Sequence, residues 1–227
     1  MPNSLLVNEI FYSIQGEGTR AGRPCVFVRL TGCHLRCVYC DTAYAFHEGS
    51  RRNMDDIIEQ VRAFACPLVQ ITGGEPLLQA GVHDLMQRLC DDRFTVMLET
   101  SGACDISCCD PRVIRIVDLK TPDSGESERN DWTVIEHLTE HDELKFVITS
   151  RHDYEWTRQV LAAHDLTRKV KAVLLSPVHD MAPSAELPGT TGLPLHDLAS
   201  WILEDKLPVR IQPQLHKFIW DPLARGV

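Results

Sequence analysis

The chain has no uninterrupted apolar stretch long enough to span a bilayer, and residues 1–10 show no basic region followed by an apolar run. Neither a membrane segment nor a secretory leader is expected, and the protein is expected to be cytoplasmic. Basic charge is also scarce: 23 Lys and Arg stand against 32 Asp and Glu, for a formal net charge of -9. A broad nucleic-acid surface needs Lys and Arg to meet phosphates, so no nucleic-acid partner is expected, although a small anion needs only a local pocket. There is no internal repeat, no low-complexity tract and no linker-like stretch. A chain of 227 residues, 44% hydrophobic and 24% charged, suits one domain with a full core.

Cysteine, by contrast, is plentiful. There are nine, an odd number, and they are clustered. In a reducing compartment such cysteines more often bind metal or stay as buried thiols than form disulfides. Cys33, Cys37 and Cys40 fall within residues 32–40 (GCHLRCVYC). Three thiolates on one loop can ligate three irons of a [4Fe–4S] cubane and leave the fourth open, whereas four would saturate it and suit electron transfer. Cys37 and Cys40 alone would also suit half a zinc site or a redox pair. A zinc ribbon needs a second pair, and the adjacent Cys108 and Cys109, with Cys104, make a poor one. These three are expected to be inert thiols.

Apolar, β-branched runs at 25–30, 68–72, 95–100, 113–119, 144–148, 170–175 and 209–212 predict buried strands. Helical periodicity falls between them, at 53–65, 82–90, 132–138, 152–164 and 195–203. Asn53 is the expected N-cap of the first helix, and Ser150 with Asp153 has the form of a capping box for the fourth. Strands alternating with helices predict a parallel sheet with helical crossovers. A complete eight-unit barrel needs about 250 residues, so a partial, open β/α barrel of about six strands is expected. The polar stretch 121–131 predicts a mobile surface loop, 181–193 a second loop, and residues 1–7 free surface chain.

A second signal sits one unit beyond the cysteines. Thr72-Gly73-Gly74-Glu75-Pro76 ends a predicted strand, where parallel α/β folds bind ligands. Two glycines there let the backbone approach a ligand. The cysteine loop and this GGE motif together resemble the radical S-adenosylmethionine superfamily. Residues 9–18 (EIFYSIQGEG), 27–33 (FVRLTGC), 40–42 (CDT), 99–102 (ETSG), 142–148 (DELKFVI) and 214–216 (QLH) narrow the resemblance to the 7-carboxy-7-deazaguanine synthase family, over about residues 9–227.

The resemblance implies an open barrel, usually a homodimer, formed from a single radical SAM domain over 1–227. A substrate-binding segment at about 9–18 and a C-terminal cap at about 207–227, with 220–223 closing the open side, complete it. It implies a lyase for the deazapurine pathway of queuosine-type nucleosides. The reaction contracts the ring of 6-carboxytetrahydropterin, with loss of ammonia, after S-adenosylmethionine is cleaved at the open iron to a 5′-deoxyadenosyl radical. A flavodoxin- or ferredoxin-like reductant is implied. By position, Ile14, Gln15, Gly16, Arg29, Thr72 and the Val227 carboxylate match pterin contacts, and arginine's planar fork suits a carboxylate. Gly74, Glu75, Ser101, Asp118, Leu119, Lys120, Ser176, Pro177, Val178 and His179 match cofactor contacts, with Tyr39 packing beside the adenine. Thr42 matches a Mg²⁺ ligand, and a lone hydroxyl would leave that ion leaning on substrate and water. Many relatives carry Ser-Pro-Lys where this chain has Asp118-Leu119-Lys120. Two rival functions remain at this point. A glycyl-radical activating enzyme shares the cysteine loop but lacks the QGEG–CDT combination. An iron–sulfur electron carrier needs a fourth nearby cysteine, and only Cys25, inside a strand, is close.

Overall fold

The computed structural model describes residues 3–221 and 224–227. Its first strand, β1 (Ser4–Ile14), pairs antiparallel with β2 (Pro24–Leu30) on one side and with β3 (Ser50–Asn53) on the other. From β2 onward every neighbour is parallel. β4 (Leu68–Gly73), β5 (Thr95–Thr100), β6 (Ile114–Asp118), β7 (Glu143–Ile148), β8 (Ala172–Pro177) and β9 (Arg210–Ile211) follow in chain order. The sheet runs β3-β1-β2-β4-β5-β6-β7-β8-β9 and does not close among the described residues. The open architecture agrees with expectation. The parallel part has seven strands, one more than the six or so expected, and two antiparallel strands widen the edge.

Residues 4–7 are not free surface chain but the start of β1. Leu5 and Val7, on one face of β1, are 1% and 2% exposed. Period-2 alternation puts both on the core side, and only Met1 and Pro2 lie outside the described residues.

The helices cover one face of the sheet. α1 (Met54–Ala63) starts where the Asn53 side chain accepts from the Asp55 N–H, and buries Ile57, Ile58 and Val61. α2 (Val82–Asp91) buries Val82, Leu85, Met86 and Leu89. The run at 132–138 gives only one turn, α3 (Val134–His137), because the Asp131 carboxylate takes the Thr133 N–H and hydroxyl and holds the preceding chain in a turn. α4 (Arg151–Ala163) has half of its expected box: Ser150 Oγ accepts from the Asp153 N–H, but the Asp153 carboxylate accepts from Thr149 and Asp123 instead. A single turn, α5 (Leu166–Lys169), precedes β8. α6 (Leu195–Glu204) and a last turn, α7 (His216–Ile219), follow it.

The stretch 121–131 is a built element rather than a mobile loop. It forms two 3₁₀ turns, buries Thr121 and Ser124 completely, and is fastened to the sheet by Asn130. The Asn130 amide accepts from the Lys120 N–H and donates to the Lys120 carbonyl, both at 2.8 Å. It also backs the cysteine loop, since the Val38 N–H donates to the Ser124 carbonyl and the Arg36 N–H to the Glu126 carboxylate.

Candidate active site

A cavity of about 450 Å³ opens at the carboxyl ends of the parallel strands. Cys33, Cys37 and Cys40 all line it, carried by the loop that leaves β2. That loop is anchored by apolar contacts of Leu35, Cys37 and Tyr39 with Val178, and by Arg36, which donates to the Cys33 and Leu35 carbonyls and lies 4.1 Å above the Phe46 ring. Burial pushes all three thiols above their ordinary pKa, Cys40 to about 12. They therefore hold their protons unless a strong cationic centre favours the thiolate, as iron does.

The GGE motif packs against this loop. Gly73 has φ +145°, and a Cβ on it would fall 2.1 Å from the Leu30 carbonyl oxygen; one on Gly74 would fall 2.2 Å from that of Gly32. The Gly74 and Glu75 N–H groups donate to those carbonyls. The glycines are thus required by close contact between two backbones, and both also line the cavity. The Glu75 side chain is also spoken for: its carboxylate, 1% exposed, accepts from Leu77 N, Thr100 Oγ1 and Ser101 N. Glu75, Leu119 and Pro177 lie off the cavity wall, Leu119 in the apolar core and Pro177 at the end of β8.

The remaining expected positions do line the cavity: Ile14, Gln15, Gly16, Arg29, Tyr39, Thr42, Thr72, Gly74, Ser101, Asp118, Lys120, Ser176, Val178, His179 and Val227. Ser101 Oγ, Asp118 Oδ1, Ser176 Oγ and the Tyr39 hydroxyl are buried there without a hydrogen-bond partner. Such atoms are costly unless a ligand meets them, so this wall fits a polar cofactor such as S-adenosylmethionine beside the cluster. Asp118 keeps its other oxygen on Lys120 at 2.9 Å. Thr42 donates its hydroxyl to Asp41 at 2.9 Å, which leaves the oxygen lone pairs available to a cation. Pro222 and Leu223, expected to close the open side with Trp220 and Asp221, lie outside the described residues.

Several residues at the cavity were given no definite role by sequence, although Glu17 falls in the expected ligand loop and a substrate role for His216 was left open. Lys145 Nζ meets Glu17 at 2.5 Å and Glu99 at 2.8 Å, with Asp118 at 3.9 Å. Burial opposes charge on Lys145, but these carboxylates outweigh it and hold the ammonium well above its ordinary pKa. Glu99 also accepts from Gln70, which accepts from Gln15, so one chain of hydrogen bonds crosses the inner face from β7 to β1. Lys217, on α7, pairs with Asp41 at 2.7 Å and ties the C-terminal region to the cysteine loop. Opposition by burial notwithstanding, this cation keeps the Asp41 carboxyl well below the usual range. His216 stands against Gly16, where a Cβ would fall 2.1 Å from its Nδ1, and burial pushes its pKa down. The available signal was a charge inside an otherwise apolar strand, as at Glu99 in TVMLET and Lys145 in ELKFVI.

Comparison with known proteins agrees with this layout. Residues 27–119 match the model of the Radical SAM superfamily. The chain is 45% identical to a 7-carboxy-7-deazaguanine synthase of Chlorobaculum tepidum, covering 98% of this chain and 97% of that one. It is 43% identical to one of Koribacter versatilis, over 97% and 99%. The crystal structure of QueE from Escherichia coli superposes with a TM-score of 0.72 at 23% identity, covering 94% of this chain and 95% of that one, a likeness of fold. On nearly full-length identity of this order, the chain belongs to the 7-carboxy-7-deazaguanine synthase family of the radical SAM superfamily.

Proposed function

We propose that the protein contracts the ring of 6-carboxytetrahydropterin, with loss of ammonia, to make 7-carboxy-7-deazaguanine. The observation that carries this reading is one cavity joining the three cysteines, a wall of unpartnered polar atoms and Arg29. When bound, a [4Fe–4S] cluster on Cys33, Cys37 and Cys40 and S-adenosylmethionine supply the radical chemistry.

The chain's own residues do the rest. Ser101, Asp118 and Ser176 meet the polar groups of the cofactor, with Lys120 holding Asp118 in place. Arg29, half-buried between Phe11, Tyr44 and Glu9, offers a fixed guanidinium to a carboxylate. Ile14, Gln15, Gly16, Thr72 and the Val227 carboxylate border the pterin, and Thr42 ligates a Mg²⁺ ion shared with substrate and water. Segment 9–18 acts as the substrate-binding part of the single domain, and 207–227 as its cap. The finer setting is a cytoplasmic homodimer fed by a flavodoxin- or ferredoxin-like protein. No helix among the described residues is long and apolar enough to cross a membrane.

Anaerobic reconstitution with iron, sulfide, reductant and S-adenosylmethionine, with and without the pterin, tests the reading. The deazaguanine product and pterin-dependent 5′-deoxyadenosine are expected. Cys33→Ala, Cys37→Ala or Cys40→Ala abolishes both while far-ultraviolet circular dichroism stays unchanged. No product from the loaded protein, or full turnover in any of the three variants, overturns it.

A further inference from the structure

Arg225 is a residue that neither the motifs nor the proposed chemistry use. Its guanidinium carbon lies 3.9 Å from the centre of the Tyr44 ring. Both terminal nitrogens reach the Glu48 carboxylate, at 2.7 and 3.4 Å. Glu48 is itself fixed, because its carbonyl accepts from Asn8 Nδ2 within β1 and from Thr31 Oγ1 just after β2. Tyr44 stands four residues after Cys40, on the turn that follows the cysteine loop. Its hydroxyl donates to Glu9 Oε1 at 2.9 Å, the same oxygen that takes Arg29 Nε at 2.7 Å. Gly226, with φ +70°, lies over Glu9, where a Cβ would make an ordinary contact at 3.8 Å from Oε2. Val227 then lines the cavity.

We infer that Arg225 is a positioning residue, a latch that stacks on Tyr44 and pairs with Glu48 to hold Val227 against the cavity that Arg29 also lines. The inference rests on the proposed function for what the cavity binds, but not for the latch itself. An exposed ion pair alone fixes little. Stacking on an aromatic face adds to it and demands the planar guanidinium. The same ring orients Glu9, so the tail and the carboxylate-binding arginine share one support. A tail that is only a frayed end would need none of this.

Two measurements decide the matter. The first needs no cluster, cofactor or turnover: release of Val227 by carboxypeptidase, followed by mass spectrometry. Arg225→Ala and Tyr44→Leu are expected to speed release by about tenfold, the worth of one stacked, paired cation. Tyr44→Phe keeps the ring and is expected to protect like the parent. The Tyr44→Leu/Arg225→Ala double variant should match either single one. Equal release from parent and Arg225→Ala, or additive effects in the double variant, overturns the latch. The second measurement is kinetic. Arg225→Ala should raise KM for the pterin by about tenfold with kcat and S-adenosylmethionine affinity unchanged, and Arg225→Lys should fall between. A fall in kcat with KM unchanged overturns the positioning role. A parent protein that ignores the pterin overturns the proposed function instead, while the carboxypeptidase result still decides the latch.

Discussion

Each parallel strand from β2 to β8 shows one face to the helices and the other to the cavity, and the two faces obey different rules. Towards the helices stand Val26, Val28 and Leu30, then Val69 and Ile71, Val96 and Leu98, Leu144 and Phe146, Val173 and Leu175, all within the main core. Towards the cavity stand Arg29, Thr72, Glu99, Asp118, Lys145 and Ser176, nearly one polar group per strand end. Closed barrels of this class fill their interior with branched apolar side chains. Here the interior is held by charge pairing, which is directional and intolerant of partial loss, whereas the other face is held by packing, which gives way by degrees.

Three changes would break or sharpen this contrast. The largest effect is expected from Lys145→Met, which removes a buried cation and leaves the half-buried Glu17 and Glu99 without their partner. A loss of about 3–5 kcal/mol in denaturant unfolding is expected, together with loss of turnover. Adding Glu17→Gln and Glu99→Gln should return most of the stability but none of the activity; recovery of both would mean that the charges serve only the fold. Next comes Leu98→Ala on the opposite face of β5, expected to cost about 2–5 kcal/mol by cavity formation. Its KM for the pterin should hold in the folded fraction, and a large rise in KM would show that the two faces are not independent. The smallest effect concerns acid. Burial holds the pKa of both His179 and His216 below the ordinary histidine value of 6.5. The unfolded chain therefore binds more protons just below that pH, so their contribution is complete above about pH 6.5 and is lost as pH falls through the depressed values. Thermal midpoints should drop between about pH 7.5 and pH 5.5, and His216→Gln should flatten the slope. An unchanged slope in the variant would remove His216 from the account.

The contrast also explains what could be read from the chain alone. Strands β2 and β4 to β8 announce themselves as apolar runs because their core face is unbroken, and the open parallel sheet follows; β9, exposed at both Arg210 and Ile211, shows only through the flanking run at 209–212. β1 was partly hidden, since Asn3, Ser4, Asn8 and Glu9 surround the two buried residues that fix its start. The cysteine loop was legible because the spacing of its thiols is local. The partners of Lys145 and Lys217 were not, because Glu17 and Glu99 lie 128 and 46 residues from Lys145, and Asp41 lies 176 residues from Lys217. Only the folded topology brings these to one place. The GGE glycines line the cavity, and the backbone contact they also serve could not be told apart in sequence, because a close approach of two backbones leaves the same trace as a close approach to a ligand. Polarity misled at 121–131, where the hydrogen-bonding groups of Asn130 face inward.

That asparagine has a consequence for how the sequence can drift. By accepting from the Lys120 N–H and donating to its carbonyl, Asn130 stands in for a missing strand neighbour, and among side chains of its length only a primary amide carries both functions in one plane. Aspartate at this position preserves the shape but sets a carboxylate oxygen against a carbonyl oxygen, and leucine satisfies neither group. The position is therefore closed to the nearest single exchanges. It is also exposed to a chemical one, since slow hydrolysis of the amide would install that aspartate in a finished molecule and loosen the element that backs the cysteine loop.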